Sequence, residues 1–552
     1  MKMTESGTQK NIVLTGFMGT GKSTVGKEIA ARLARQFIDL DELIAQRAGK
    51  SIAEIFATEG EAAFRERESA ACQEVKVPAG LVVAAGGGAV LDARNAAALG
   101  EGGLVVCLDA DAGTITRRLA GQDGRPLLSG PDRPARIGAL LAQRTGAYAA
   151  IARHLDTSSL SVAAAAEIVM GMAAGLPEGG RRIPVRASEG APGAAAAGIS
   201  YDVLLADGLL GQAGKRLAEA GLRPGPCAIV TNPVVRRHAP RLIAALGEAA
   251  FEPRVFEIPD GETYKTLATA EGLYRQFAEA RLARGEPVLA LGGGVTGDLA
   301  GFVAATWLRG VPFVQVPTSL LAMVDASVGG KVGVDLPDGK NLVGAFKQPA
   351  VVLVDPTVLA TLPGPEFRSG LAEVLKSAIV GAPALFEQLA AEGPASLVSM
   401  IADAVRVKVR LVERDPLEAG DRAWLNLGHT FGHALELFSG FALRHGEAVA
   451  LGLIAAAELS ARLGHCPPSL PERTRSIVAR LGLPTCYTFD VERVQALMGT
   501  DKKRAGRSLR FVLPRGVGEV SLVQNVAAEA VEEALRSIRR PDREPPPSIA
   551  GF

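Results

Sequence analysis

Cysteine is scarce and scattered in this chain, and its placement excludes two classes of protein at once. The five thiols, Cys72, Cys107, Cys227, Cys466 and Cys486, include no CxxC pair. That argues against a disulfide frame and against a thiolate metal site, and fits reduced thiols in a cytosolic protein. Charge of one sign is also lacking. Sixty Lys and Arg stand against 59 Asp and Glu, for a net charge of +1, so no global field draws in nucleic acid or an acidic membrane surface. Long apolar runs are missing too: the segment from Ser161 to Met170 is interrupted by Glu167 and is too short to span a bilayer. The N-terminus has no basic-then-apolar leader pattern. The expectation is a cytoplasmic protein whose partners are small molecules held by local charge, with no nucleic acid and no membrane.

At 552 residues the chain exceeds one comfortable hydrophobic core, which predicts two or three domains. From Asn11 to about Ala174, short apolar strands (Asn11–Thr15, Leu81–Ala85, Leu104–Leu108) alternate with helical patterns over 23–35, 53–73 and 133–148. Such alternation predicts an α/β domain, a parallel sheet with helices on both faces. The Gly/Pro-rich stretch 175–180 marks a boundary, whereas the Ala/Gly/Pro-rich stretch 188–198 reads as a loop inside the second domain, between strand-like Ile183–Arg186 and Tyr201–Leu205. Alternation resumes to about 355, and long helical patterns follow to about 490. The expected division is therefore a first α/β domain over 1–175, a linker at 176–182, a second α/β domain over 183–362, a mostly helical domain over 363–539, and a disordered Pro- and charge-rich tail over 540–552.

Two glycine loops carry the first chemical signals. Gly16-Phe-Met-Gly-Thr-Gly21-Lys22-Ser23 follows one strand and opens a helix, the context in which GxxxxGKS cradles phosphates. Backbone N–H groups hold the anion, Lys22 reaches its outer oxygens and Ser23 can sit on Mg2+. Asp39 and Asp41 alternate at the end of a second strand, so both can face one site edge. Asp41 could accept a proton from an acceptor hydroxyl and Asp39 could hold Mg2+ through water, though a helix cap or a surface pair explains a bare DxD as readily. Arg65 and Arg144 could clamp a carboxylate with their forked donors or lie as ordinary helix charges. Gly86-Gly-Gly88 permits close backbone approach, or a tight turn.

These residues together resemble shikimate kinase. The matching elements, between Asn11 and about Thr157, are GFMGTGKST, FIDLD, FR, GGGAV, GRPLL and RTGAYAAIA. The resemblance implies Mg-dependent transfer of the ATP γ-phosphoryl group to the 3-hydroxyl of shikimate. It places ATP on Gly19, Thr20, Gly21, Lys22, Ser23 and Thr24, and shikimate on Asp41, Arg65, Gly87 and Arg144, with Asp41 as the base. Arg125, in the lid sequence GRPLL, would close on the transferring group. Catalysis of this kind is chiefly positioning and charge neutralisation.

The second loop, with Gly292, Gly294 and Gly297, fits GxGxxG after a strand, a weak dinucleotide signal by itself. No Asp or Glu stands between Thr306 and Ser319, which disfavours an ordinary Rossmann dehydrogenase; Asp260 and Glu262 upstream could serve the ribose instead. Histidine placement is more telling. Of six histidines, three fall between His429 and His445, and Glu373 is available beside them in chemistry. Imidazoles with a carboxylate suit Zn2+ with an open position for substrate. Helical spacing by itself would pair His429 with His433.

From about Tyr201 to Pro514 the chain resembles 3-dehydroquinate synthase, through DGETYK, GGGVTGDLAGF, WLRG, PTSLLAMVDASVGGKVGVD, GKNLVGAF, LAEVLK, LNLGHTFGHALE, HGEAVALG and DKK. The resemblance implies a Zn2+ (or Co2+) site made of Glu373, His429 and His445, leaving His433 free near the substrate phosphate. It implies NAD on Asp260, Gly261, Glu262, Lys265, Gly293, Gly294, Val295, Thr296, Gly297, Asp298, Thr318, Ser319, Lys331, Lys340 and Thr361. The phosphate of a seven-carbon sugar acid falls to Lys331, Lys340, Asn341, His433 and one of Lys502 and Lys503. Its carboxylate falls to Lys408, Arg422 and Asn426, and its ring hydroxyls to Lys376 and Asp325. Arg309 would reach across a homodimer interface. Family chemistry oxidises and later reduces one carbon, so NAD is regenerated within each turnover and inorganic phosphate leaves. A metal-dependent polyol dehydrogenase is the rival reading, but it has no need of cations for two anionic groups. A regulatory, non-catalytic half is another, disfavoured in the first half by Lys22, Asp41, Arg65 and Arg125. The whole then reads as a fusion of kinase and synthase.

Overall fold

The computed structural model describes residues 10–77, 79–120, 133–187, 199–391, 396–418, 420–503 and 509–540. It divides into two compact units, Met1–Arg182 and Ile183–Phe552. The expected lid (121–124 onward, with Arg125), the loop 188–198, the tail beyond 540 and the side chains of Lys502 and Lys503 lie outside the described residues.

In the first unit five parallel strands lie in the spatial order Phe37–Asp39, Val82–Ala84, Asn11–Thr15, Gly103–Asp109, His154–Asp156. The central strand is buried along its whole length. Its two-residue period sends Val13 into one core with Phe17, Leu40 and Phe64, and Ile12 and Leu14 into another with Val25, Ile29 and Val169. Helices therefore cover both faces, which explains why the strand reads as continuously apolar. Glu167, the charge that interrupts the apolar stretch at 161–170, is fully buried on helix Val162–Ala173 and pairs with Arg32 at 2.8 Å. The helical pattern at 53–73 is two helices, Ile52–Thr58 and Gly60–Val75. The break comes where Gly60 takes φ 85°, a left-handed turn that restarts the helix and re-aims Arg65.

The second unit holds a seven-stranded sheet in the order Arg181–Ala187, Ile199–Leu205, Val351–Val354, Phe313–Pro317, Val288–Gly292, Pro226–Thr231, Glu252–Glu257. From Ile199–Leu205 onward every pair is parallel. The chain steps outward from Pro226–Thr231 to Glu252–Glu257, then returns to the other side of Pro226–Thr231 with Val288–Gly292, Phe313–Pro317 and Val351–Val354 in turn. The C-terminal ends of Pro226–Thr231 and Val288–Gly292 therefore flank a switch point, where open α/β sheets bind ligands. The first strand of this sheet starts within the residues expected to form the linker.

Beyond the sheet the long helices Gly364–Gly381, Leu397–Arg414, His429–Phe438 and His445–Arg462 dominate. One antiparallel hairpin, Arg510–Gly516 with Glu519–Gln524, interrupts the helical region, its register shifted beside Pro514. The helices cross with their backbones almost touching. A Cβ on Gly446 would overlap the Ser369 carbonyl, and one on Gly452 would overlap the carbonyl of Gly428. These two approaches set helices Gly364–Gly381, His429–Phe438 and His445–Arg462 in one fixed cluster. Gly452→Ala is expected to force two of them apart, at a cost of about 1–3 kcal/mol. Equilibrium chemical unfolding followed by fluorescence checks this, and an unchanged midpoint would contradict the packing.

Candidate functional sites

In the first unit the glycine loop leads directly into helix Lys22–Leu33. Lys22 Nζ donates to the carbonyls of Gly16 and Phe17, both at 2.9 Å, so the ammonium is held over the loop it must serve. A cavity of about 400 Å3 opens beside it, lined by Gly19, Thr20, Gly21, Lys22, Ser23 and Thr24 together with Asp39, Asp41, Arg118 and Thr157. Ser23 Oγ donates to Asp39 Oδ2 at 2.5 Å. Asp39 Oδ1 accepts from the Asp41 backbone N at 3.1 Å, capping helix Leu40–Ala48. The cap reading of the DxD pair is therefore seen directly. Asp39 is a cap and, with Ser23, an oxygen pair suited to a hard cation.

Gly86–Gly88 threads between the acceptor candidates. A Cβ at Gly86 would lie 2.7 Å from Asp41 Oδ1 and 2.9 Å from Glu68 Oε1, and one at Gly88 would collide with the Arg65 guanidinium. The Gly87 carbonyl accepts from Arg144 at 2.9 Å and from the Tyr148 hydroxyl at 2.6 Å. Asp41, Arg65, Gly87 and Arg144 therefore converge on one edge. Sequence reasoning missed three contributors. Glu68, only 1% exposed, accepts from Arg65 at 2.7 Å. Burial pushes its carboxyl up while Arg65 pulls the other way. Its signal was the i, i+3 spacing from Arg65. Tyr148 and Arg118 had no local signal. Arg118 joins the site only because the fold brings it to the Thr157 carbonyl, 2.6 Å away.

In the second unit strand Val288–Gly292 delivers Gly293, Gly294, Val295, Thr296, Gly297 and Asp298 to the start of helix Gly294–Thr306. Thr318 donates its backbone N–H to the Gly292 carbonyl at 2.9 Å, and Ser319 lies against Gly293. Asp260 accepts from Asn232 at 2.8 Å, at the end of the neighbouring strand. Gly261 and Glu262 follow in a short turn. Lys265, buried, donates to Asp298 at 2.6 Å and to Asn341 Oδ1 at 2.5 Å. Burial opposes its charge, yet Asp298 outweighs that and raises it. Thr361 sits at the end of turn Pro356–Thr361, hydrogen-bonded to His238 at 3.0 Å. Arg309 is exposed, at φ 64° in the Trp307–Arg309 turn.

Glu373, His429 and His445 each present one donor atom within 4.8 Å of the others. Glu373 Oε1 is 3.2 Å from His445 Nε2 and 3.7 Å from His429 Nε2. Burial, then Lys376, holds His429 down to about 3, so its ring is neutral and its lone pair free to coordinate. At His445 burial disfavours the charge, but Glu373 and Glu436 outweigh it and push the ring up to about 10. A divalent ion among these groups would take the place of that proton. One carboxylate and two imidazoles, drawn together around the buried Glu373, fit a borderline cation such as Zn2+.

Charged groups surround this trio. Lys376 pairs with Glu373 and lies 3.7 Å from Asp325. Lys408 donates to Asp325 through both the side chain and the backbone carbonyl, the latter at 2.6 Å. Asp325 itself stands in a single π-helical turn, Ala322–Ala326, a device often found where a side chain must be re-aimed. Arg422 is 2% exposed and donates to the carbonyls of Gly329 at 2.9 Å and Pro416 at 2.6 Å. Glu418, unforeseen in the sequence, pairs with Lys331 and accepts from Asn426 at 3.3 Å. His433 stacks edgewise on His429, ring centres 5.2 Å apart. Lys340 lies 3.6 Å from Glu262 and 3.9 Å from Glu436, bridging the nucleotide-side turn and the histidine helix. One divalent ion per chain is expected, and His445→Ala should abolish stoichiometric binding, read as metal content after dialysis. Full retention would refute the trio.

Family profiles match three parts of the chain: shikimate kinase over residues 18–173, the 3-dehydroquinate synthase N-terminal domain over 255–369 and its C-terminal domain over 370–504. The 3-dehydroquinate synthase of a Synechococcus species is 45% identical over 357 residues, covering 62% of this chain and 97% of its own. That of Crocosphaera subtropica is 41% identical over 353 residues, covering 62% of this chain and 96% of its own. A solved 2-epi-5-epi-valiolone synthase from Streptomyces hygroscopicus, with NAD+ and Zn2+ bound, superposes with a TM-score of 0.58 at 28% identity, over 62% of this chain and 98% of its own.

Proposed function

Because the chain belongs to the 3-dehydroquinate synthase family and carries a shikimate kinase unit ahead of the synthase, we propose how its residues divide two reactions between two sites. The enzyme is bifunctional. One activity phosphorylates shikimate at its 3-hydroxyl with ATP, and the other converts 3-deoxy-D-arabino-heptulosonate 7-phosphate to 3-dehydroquinate with release of phosphate. The observation that carries the reading is the convergence of Glu373, His429 and His445 inside a shell of lysines and arginine, in a chain whose other unit owns a complete phosphate loop.

In the kinase unit the loop amides and Lys22 hold the nucleotide phosphates, and Ser23 with Asp39 holds the Mg2+ that accompanies ATP. Arg65, steadied by Glu68, and Arg144, steadied on Gly87, grip the acceptor carboxylate as two forks. Asp41 receives the proton of the attacking hydroxyl. Arg125, outside the described residues, would neutralise charge on the transferring group.

In the synthase unit Glu373, His429 and His445 hold a divalent ion, and the strand–helix turn at Gly293–Asp298 with Asp260, Gly261 and Glu262 holds NAD. When bound, NAD+ accepts and later returns a hydride, and the ion makes the reacting hydroxyl more acidic. Lys376 and Asp325 orient the ring hydroxyls. Lys331, Lys340, Asn341, His433 and one of Lys502 and Lys503 bind the phosphate, and Lys408, Arg422 and Asn426 the carboxylate. We read the unit as a homodimer in which exposed Arg309 reaches the neighbouring site. We place the enzyme in the cytoplasm, in keeping with five free cysteines, four of them buried. No described helix is long and apolar enough to cross a membrane.

A paired assay of the full-length chain tests the assignment. ATP with shikimate should yield shikimate 3-phosphate, and the heptulosonate phosphate with NAD+ and Zn2+ should release phosphate with no net NADH. Accumulating NADH would instead indicate a dehydrogenase. Lys22→Ala should remove the first activity and leave the second within about twofold, and parallel loss of both would contradict independent sites. Lys331 gives the pH prediction. Burial, Arg422 and Lys408 push its ammonium down to about 8. It is charged below that pH and neutral above it, so KM for the phosphorylated substrate should rise as pH climbs through 8. Lys331→Arg should flatten that rise; an unchanged profile would remove Lys331 from phosphate binding.

A further inference from the structure

His445 is engaged at both ring nitrogens, and only one of those contacts belongs to the metal trio. Its Nε2 faces Glu373 Oε1 at 3.2 Å, while its Nδ1 faces Glu436 Oε1 at 3.4 Å. Glu436 lies on the same helix as His429 and His433, seven and three residues further on, which places all three on one face. It is 5% exposed, too dry for an idle carboxylate. A neutral imidazole carries one N–H. If Nε2 gives its lone pair to a cation beside Glu373, the proton must sit on Nδ1, where Glu436 accepts it. The same Glu436 oxygen, Oε1, is 3.9 Å from Lys340 Nζ, and Lys340 lies over the Phe441 ring at 4.8 Å.

We propose that Glu436 is the positioning residue of the metal site: it fixes His445 in the tautomer and ring orientation that present Nε2 to the ion, and it ties that ligand to Lys340 on the hairpin Lys331–Leu336/Gly339–Phe346. This rests on the reading of Glu373, His429 and His445 as the ligand set. Buried carboxylates behind ligating histidines generally raise ligand basicity and hold ring orientation. The chain of contacts also makes Lys340 sensitive to occupancy of the ion site, because movement of His445 moves the carboxylate that Lys340 faces. A second ion between His433, Glu436 and His445, which also present donors within 4.8 Å, is the competing arrangement. It would need Nδ1 as a ligand instead of a donor.

The test compares Glu436→Ala, Glu436→Gln and His445→Ala with the parent chain. Zn2+ affinity is read by competition with a chromophoric chelator, ion stoichiometry by elemental analysis, and the histidine tautomers by NMR of the 15N-histidine-labelled, Zn-loaded protein. Glu436→Ala should weaken Zn2+ binding by about 10–100-fold. Glu436→Gln keeps a neutral acceptor and should lose less. The parent should show one ion and an Nδ1–H signal for His445 that Glu436→Ala shifts or abolishes. Metal-free unfolding midpoints of parent and Glu436→Gln should agree, separating positioning from folding. If His445→Ala loses the ion and both Glu436 variants hold it as tightly as the parent, this inference falls while the ligand set stands. If His445→Ala keeps the ion, the ligand set falls and takes the inference with it. Two ions per chain would equally overturn it.

Discussion

A carboxylate removed from water in the middle of a helix is the constraint around which the second unit is organised. Glu373 is 1% exposed, and an isolated buried charge of that kind costs several kcal/mol. The fold answers with partners on several sides: Lys376 one turn along the same helix, the His429 and His445 rings from two other helices, and Asp325 and Lys408 pairing further outward. Burial acts against the charge on Glu373, yet Lys376 and the histidines hold its carboxyl well below the usual range. Such a network tolerates little displacement. The backbone-to-backbone contacts at Gly446 and Gly452 keep the three helices at a separation where these pairs can form.

The first unit solves a different problem by different means. Its site is made largely of main chain, with loop carbonyls and amides around Lys22 and a glycine run against which Asp41, Arg65 and Glu68 are pressed. Charge there stands at separate points: Lys22 over the loop, Asp39 and Asp41 beside it, and the Arg65 and Arg144 forks at the glycine run. The second site instead depends on a dense set of buried side chains whose charges balance one another. Transfer of a phosphoryl group asks for shape and neutralisation, whereas a substrate with two anionic ends and a reacting hydroxyl asks for cations at defined points.

Much of this was readable from residue order, and the parts that were not have physical reasons. The glycine loops declared themselves because their chemistry is local: strand, turn and helix start are contiguous in sequence. The alternating strand pattern likewise gave the α/β character of both units. Where the notation of spacing misled, tertiary geometry decided. Helical periodicity favours His429 with His433, but the groups brought together with Glu373 include His445 from the next helix. The break at Gly60 was invisible as a run of helix-compatible residues because a single left-handed glycine suffices to end one helix and begin another. Arg118, Tyr148 and Glu418 could not be found at all, since each reaches its site from a distant segment whose local sequence carries no sign of the destination.

The outermost strand of the seven-stranded sheet begins before the point where the chain divides. Strand Arg181–Ala187 straddles the division at Arg182 and Ile183 and supplies the outermost rung of the seven-stranded array. A synthase liberated by cutting there would shed the opening residues of its border strand and leave the ladder of Ile199–Leu205 partly bare, an edge open to pairing with other chains. Separating the two activities would need the cut carried upstream, into the turn before Arg181, so that each part keeps a finished margin.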